Sequence, residues 1–372
     1  MSKETEAHHL FPSQVAFSSD QIHEGSPKTE FLQVADQAFD LDFFNDKMTF
    51  DDGAEHEIWA FETKTSGRVF PSALLRINEG KMFHATVHPS KKVHTIHWHG
   101  LEPDPRNDGV GHTSFEVTGS YTYQWVPETG RPGSANHGAA GTYFYHCHVN
   151  TPLHVQMGMF GPLIVDPVVH PDFPVQPGVT RRPFVDGPEY DIETETLLAA
   201  YSVDPRWHTL NHAAGLSGED VGLDRFEPDS LYLLGGELAR GPQGEGPWQL
   251  SAMRANAAGG SRKPTLFRLV NATYFPVDMR FTDAAGKAVA MADLVSHDGR
   301  AYRDTSDPLG ASPPVGAVGN PLMTSFISFG AAERFDVLLR PPAPGRFTLT
   351  VTLRHWITTA VIATRVIPIT VT

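Results

Sequence analysis

Two stretches decide how this chain reads: His94-Thr-Ile-His-Trp-His-Gly100 and His146-Cys-His-Val-Asn-Thr-Pro-Leu-His-Val-Gln-Met-Gly-Met159. Together they hold six histidines, two methionines and the chain's single cysteine. Along an extended strand, successive side chains point to opposite faces. His97 and His99 therefore share a face, and His94 takes the other. In the same way His146 and His148 share a face, and Cys147 points away from it. Packed side by side, two such strands gather His94 with Cys147 on one side. His97, His99, His146 and His148 gather on the other. His154 and Met159 follow in a loop or short helical turn that can fold back onto the first group.

The first group is a thiolate, two imidazoles and a weak thioether, which is the ligand set of a blue-copper electron-transfer centre. Zinc is poorly served by such a set. The second group is all imidazole and suits a copper able to bind a small molecule. The peptide bonds from Cys147 to His146 and His148 link the two groups by a short bonded route.

The rest of the composition narrows the class. The chain has 372 residues, with 29 Lys and Arg against 43 Asp and Glu, for a net charge of −14. That balance argues against nucleic acid or an anionic membrane as partner. One cysteine excludes an internal disulfide. The 33 Gly and 30 Pro favour many turns, as in a β-rich protein. No apolar run approaches the roughly 20 residues that span a bilayer. The opening Met-Ser-Lys-Glu-Thr-Glu-Ala-His-His has no apolar signal segment.

The pattern predicts an all-β chain. Residues 1–54 read as a polar N-terminal arm with scattered aromatics such as Phe39, Phe43 and Phe44. Residues 55–166 carry short β-like runs broken by Gly, Pro and Asp, which suit a sandwich. Residues 167–188 are a Pro-rich linker, and 189–372 hold a second β series. Within that series, the Gly-rich stretch 203–245 reads as loops.

The segment HxxHxH, then HCH, then His seven residues after the cysteine and Met five residues later resembles the multicopper oxidase and copper nitrite reductase superfamily. Phe70-Pro71, Asp108-Gly109 and Gly158-Met-Phe-Gly-Pro162 extend the likeness across 57–166. Arg268-Leu-Val-Asn-Ala272, His297-Asp-Gly299 and Ala332-Glu-Arg-Phe-Asp-Val337 carry it more thinly over 190–372. The resemblance implies two cupredoxin-like Greek-key β-sandwich domains, the second degenerate.

It also implies that His94, Cys147, His154 and Met159 bind a type 1 copper. In a multicopper oxidase, His97 would serve a type 2 copper, and His99, His146 and His148 a type 3 pair. The other half of such a cluster needs two HxH motifs from another cupredoxin domain. This chain has none, and the expected place reads Asp278-Met-Arg-Phe-Thr282. The nitrite reductase pattern implies instead a mononuclear type 2 copper on His99 and His146. Its third ligand comes from a neighbouring subunit, and the candidate is His355 in Thr352-Leu-Arg-His-Trp-Ile-Thr-Thr359. His97 stands where those enzymes carry a catalytic Asp, and an imidazole can relay protons near neutral pH.

Three functions follow from this reading. One is a copper-dependent oxidoreductase passing electrons from a type 1 copper to a His-ligated copper. Another is a nitrite-reductase-like two-copper enzyme, trimeric because its site spans subunits. The third is a non-enzymatic copper or electron carrier. The expected partner is a small-molecule substrate or a redox partner protein, and by resemblance the setting is extracytoplasmic, periplasmic or secreted. His8, His9 and His23 lie in the arm, and His112 and His137 sit in Gly-rich loops near the copper strands. His170, His208, His212 and His297 read as surface or structural residues, and Asp104, Asp108 and Glu116 either serve protons to the site or are solvated loop acids.

Overall fold

A computed structural model describes residues 33–372 apart from 89–92, 102, 111–115, 134–137, 243–246 and 303–321. His8, His9, His23, His112 and His137 lie outside the described residues.

The first domain contains β1 (Gln37–Thr49), β2 (Glu55–Glu62), β3 (Leu75–Asn78), β4 (Phe83–His88), β5 (His97–His99), β6 (Tyr121–Trp125), β7 (Gly141–His146) and β8 (Phe160–Asp166). These form two four-stranded sheets, ordered β2-β1-β4-β6 and β3-β8-β7-β5. Two short helices interrupt them, α1 (Pro105–Asp108) and α2 (Thr151–Gln156). A hairpin of β9 (Thr180–Arg181) and β10 (Tyr190–Asp191) leads into the second domain.

That domain contains β11 (Thr196–Val203), β12 (Ser230–Glu237), β13 (Met253–Ala255), β14 (Thr265–Asn271), β15 (Val277–Asp283), β16 (Ala292–His297), β17 (Arg300–Ala301), β18 (Met323–Thr324), β19 (Phe326–Phe329), β20 (Arg334–Leu339), β21 (Gly345–Arg354) and β22 (Val361–Val371). One sheet is ordered β12-β11-β14-β20-β16-β17, with β18 on β16, and the other β13-β22-β21-β15-β19. The chain is thus all-β, as two cupredoxin-like sandwiches.

The two sandwiches repeat one topology. The order β2-β1-β4-β6 matches β12-β11-β14-β20, and β3-β8-β7-β5 matches β13-β22-β21-β15. The parallel pairs fall at equivalent places: β1 with β4 and β11 with β14, β3 with β8 and β13 with β22. In this correspondence β15 stands where β5 carries His97 and His99. The end of β21 stands where β7 runs into His146 and Cys147.

Two expectations are corrected. Residues 37–49 are not part of an arm, because β1 pairs with both β2 and β4 inside the first sheet. Its Leu41 and Phe43 enter the first domain's core, while Phe44 and Met48 face the second domain. Burial of both faces removes the clean alternation expected of a half-buried strand. The stretch 203–245 is not all loop, because β12 runs through it as a buried strand beside β11. Its two glycines, Gly235 and Gly236, hide it as a turn signal. The Gly235 backbone lies against Leu197 of β11, where an added Cβ would come 2.3 Å from the Leu197 oxygen.

The domains are joined by a shared apolar layer and a buried ion network. Phe44, Phe70, Phe144 and Phe160 of the first domain pack with Leu197, Tyr201, Tyr232 and Val270 of the second. Beside them, the fully buried Arg268 donates to Glu195 at 2.7 Å, to Thr142 at 2.9 Å and to Asp336 at 3.1 Å. Arg76 of the first domain pairs with Asp166 at 2.7 Å and with Glu195 at 2.9 Å. Burial works to raise the Glu195 carboxyl, but Arg268 and Arg76 overcome it and hold it at about 2.

The folded pKa of Glu195 lies below its ordinary value of 4.5. Its contribution to stability is therefore complete above that value and fades as pH falls toward 2. Removing one member of a buried pair typically costs roughly 3 to 5 kcal/mol. Chemical denaturation of Glu195→Gln is expected to show a loss of that order at neutral pH. The gap to the unmodified chain is expected to narrow in acid; a constant gap at all pH values would contradict this assignment.

Candidate metal centre

The first cluster is assembled by a strand end, a helix and an isolated bridge. His94 is held against Val117 by reciprocal backbone hydrogen bonds of 3.2 and 3.1 Å. Cys147 follows β7, and its N–H donates to the Met159 carbonyl at 3.0 Å. Between them, α2 reverses the chain, with Pro152 at its start. The helix carries His154 back to the cysteine, and the Met159 N–H donates to the His154 carbonyl at 2.9 Å. Gly158 makes the return possible: its φ is 110°, and an added Cβ would come 2.2 Å from the Phe70 ring.

The result is a buried set of donors. Cys147 Sγ lies 3.2 Å from His154 Nδ1 and 3.5 Å from His94 Nδ1. Cys147 and Met159 are both buried in the first domain's core. Burial pushes the Cys147 thiol up to about 12. The sulfur is therefore a thiol in the metal-free chain, and it must give up its proton to ligate. Phe43 stacks on the His94 ring at 4.7 Å.

The second cluster lies on the opposite side of the same strands. β5 and β7 run antiparallel with His97 opposite His146 and His99 opposite Phe144. His99 Nδ1 and His146 Nε2 are 3.4 Å apart, and His97 joins them in a compact three-imidazole group. The His148 ring lies 5.4 Å from that of His97 and 5.7 Å from that of His146. His146 Nδ1 is 2.9 Å from the Cys147 carbonyl, so a proton on Nδ1 leaves Nε2 free to ligate. Burial, then Arg334 and His97, holds His99 down at about 4. Burial and His97 push His146 well below the usual imidazole range. Both rings therefore present neutral lone pairs at physiological pH.

His97 is oriented by Asp108. Its Nδ1 sits 3.1 Å from the Asp108 carbonyl and 3.3 Å from its carboxylate, which leaves Nε2 for the cluster. Of the two readings of Asp108, contact with the site rather than simple solvation is the one its position matches. Asp108 closes α1, which is anchored by the Asp104 side chain and ended by the left-handed Gly109. A cavity of about 240 Å³ opens on the cluster, lined on the far side by Asn271, Thr273, Tyr274 and Ala332 of the second domain.

His355 does not join either cluster within the chain. It sits on the turn after β21, where its Nδ1 accepts from the Ile357 and Thr358 N–H groups at 3.2 Å each. At the place equivalent to β5, Asp278 on β15 is paired with Arg354. The residue that sequence reasoning misses is His212. One of its ring nitrogens lies within 4.8 Å of those of His94 and His154. It stands 65 positions beyond Cys147 in an aperiodic loop, and no spacing signal marks it. A further grouping, His297 with Asp298 and Glu333, is half-exposed on the second domain, with Asp298 also pairing Arg334.

Residues 44–169 match the sequence model of the multicopper oxidase family. An L-ascorbate oxidase of Cucumis sativus is 30% identical over 179 residues, which are 45% of this chain and 24% of that protein. The copper resistance protein A of Pseudomonas syringae pv. tomato is 35% identical over 100 residues, 26% of this chain and 14% of that protein. The matches thus span about a quarter or less of those relatives. A blue copper oxidase from Nitrosomonas europaea superposes with a TM-score of 0.57 at 19% identity, covering 90% of this chain and 86% of that one. A copper nitrite reductase from the same organism gives 0.53 at 16% identity, covering 90% and 93%. At such identities these two structures speak for the cupredoxin fold alone. Residues 44–169 thus resemble the multicopper oxidase family in sequence, and the whole chain is similar to cupredoxin-fold copper proteins in its fold.

Proposed function

We propose that this protein is a copper-dependent oxidoreductase of multicopper-oxidase type. Electrons would enter at a type 1 copper held by His94, Cys147, His154 and Met159. They would leave through a copper held by His97, His99, His146 and His148, on to a small-molecule acceptor. The donor chemistry fits the metal: a buried thiol facing two imidazole Nδ1 atoms suits copper better than any hard cation. Bound copper would supply one-electron redox chemistry, and the chain supplies the rest.

One observation carries the reading. Cys147 touches the imidazoles of the first cluster, while its neighbour His146 reaches those of the second. Adjacent residues thereby wire two differently built sites together. The second domain forms one wall of the cavity that opens on the imidazole cluster, and Asp108 faces Nδ1 of His97, the candidate proton relay. An extracytoplasmic setting, with a small molecule or a redox protein as electron donor, belongs to the same proposal.

A second reading is favoured by the pairing of Asp278 with Arg354 where a further histidine pair would stand. In it the protein is a trimeric, nitrite-reductase-like enzyme whose second copper is completed by His355 from a neighbouring subunit. Copper analysis together with the mass in solution separates the two. About four coppers per chain supports a trinuclear cluster completed by a partner; about two, in a trimer, supports the His355 arrangement. About one copper in a monomer would leave a simple carrier and overturn both.

Copper-loaded protein is expected to be intensely blue or green. Cys147→Ser is expected to remove that colour and to lower bound copper by about one ion per chain. A colourless loaded protein whose copper content is unmoved by the substitution would defeat the type 1 assignment. His97→Ala is expected to lower turnover of the accepted substrate by about a hundredfold or more while leaving the colour intact. Unaltered turnover would remove His97 from the chemistry.

A further inference from the structure

Away from both copper clusters, three metal-ligating side chains converge at one edge of the second domain. His297 ends β16, Asp298 opens the turn into β17, and Glu333 immediately precedes β20. β16 and β20 run antiparallel with His297 opposite Phe335. Their two rings stack at 4.4 Å with planes 15° apart, which fixes the plane of the imidazole. Asp298, with a φ of 51°, and Ala332, with a φ of 64°, turn the chain sharply beside the two strand ends.

Each carboxylate has one oxygen fastened and the other close to the imidazole. Asp298 Oδ1 accepts from the Arg334 backbone N–H at 2.9 Å and pairs with the Arg334 guanidinium at the same distance. Its Oδ2 lies 3.5 Å from His297 Nε2. Glu333 Oε2 accepts from the Gly330 N–H, and Oε1 lies 3.3 Å from the same imidazole nitrogen. His297 Nε2 is itself buried and makes no hydrogen bond among the described residues. Two anionic oxygens thus approach one nitrogen without hydrogen-bonding it, and the three donors lie within 4.8 Å of one another.

These separations have the size of a coordination shell. Around a tetrahedral ion with bonds of about 2.1 Å, neighbouring donors stand about 3.4 Å apart. The observed 3.5 and 3.3 Å bracket that edge. One imidazole with two carboxylates suits a borderline divalent cation such as zinc, and it offers no sulfur to a soft one. The side chains are 32 to 39% exposed, so water can reach the remaining position.

We propose that His297, Asp298 and Glu333 form a second-domain site for a divalent cation of the zinc class, separate from both copper clusters. His297 Nε2, Asp298 Oδ2 and Glu333 Oε1 are its ligands, and water completes the shell. Arg334 and the Gly330 N–H hold the two carboxylates in place from behind. The site lies at the domain seam, because the Gly299 carbonyl, next to Asp298, accepts from the Tyr143 hydroxyl of β7 at 3.5 Å. A bound cation ties the β16–β17 turn to the start of β20 beside that contact.

The test compares the full chain, as purified, with His297→Ala and Glu333→Gln by equilibrium dialysis against Zn(II). The unmodified chain is expected to bind one zinc ion that both variants lose or hold at least about tenfold more weakly. Zinc binding that is equal in number and affinity in all three would make the cluster an ordinary ion pair and overturn the proposal. Crystals of the unmodified chain soaked in Zn(II) and measured at the zinc absorption edge decide the matter without relying on the folding of a variant. Anomalous density between His297 Nε2, Asp298 and Glu333 supports the site, and none there overturns it. Both readouts concern zinc at this cluster alone, so they stand or fall apart from the copper reading.

Discussion

Consecutive side chains on an extended backbone cannot face the same way, and this constraint organises both candidate copper sites. Where β7 ends, His146 points toward β5 and its histidines, and Cys147 points into the core toward His94 and His154. One residue step therefore separates two chemically different environments. The thiol side is closed and apolar, which suits a centre that must exchange electrons without rearranging. The imidazole side opens on a cavity, which suits a centre that must admit a molecule. The antiparallel pairing of β5 with β7 then sets which histidines meet, because a slip of one residue would turn every ligand to the wrong face.

The rest of the molecule supports that strand end. Repetition of one topology in two sandwiches gives the second domain the same framework without the same ligands. Its β15 offers Asp278 where β5 offers imidazoles, and a salt bridge to Arg354 occupies the place. What the second domain retains is contact. Its apolar face shares a core with the first, and Arg268 and Glu195 form a charged joint with Arg76 and Thr142. Such a joint is costly to break because each member would leave a charge buried without its partner. The 204–229 loop between β11 and β12 meets the first domain directly, through His208 against Glu57 and the His212 carbonyl against His154, so the second domain also borders the first cluster.

Much of this architecture is legible in the order of residues alone. Side-chain alternation sorts the candidate ligands into two groups, and the structure brings Cys147 beside His94 and His154, and His97 beside His99 and His146. The β character of both halves is plain from short runs broken by Gly and Pro. The failures share a cause. β1 is hidden because its two faces are buried against different domains, which mixes apolar residues onto both parities. β12 is hidden because Gly235 and Gly236, usually turn residues, serve there to let the Leu197 backbone and the Trp248 ring approach. Whether Asp108 serves the site or is only solvated stays open in the sequence, since nothing there says that a single helical turn will end beside His97.

The sequence by itself determined the candidate donor atoms, the parity that divides them and the peptide link between them, because these depend only on residue identity and on local backbone geometry. Only the tertiary structure decided what lies across from those donors. Asp108 orienting His97, the second domain's wall over the imidazole cavity and His212 stacked on Trp59 beside His94 all arise from packing between distant segments. No local rule encodes such contacts, because they follow from burying apolar faces and pairing buried charges over the whole chain.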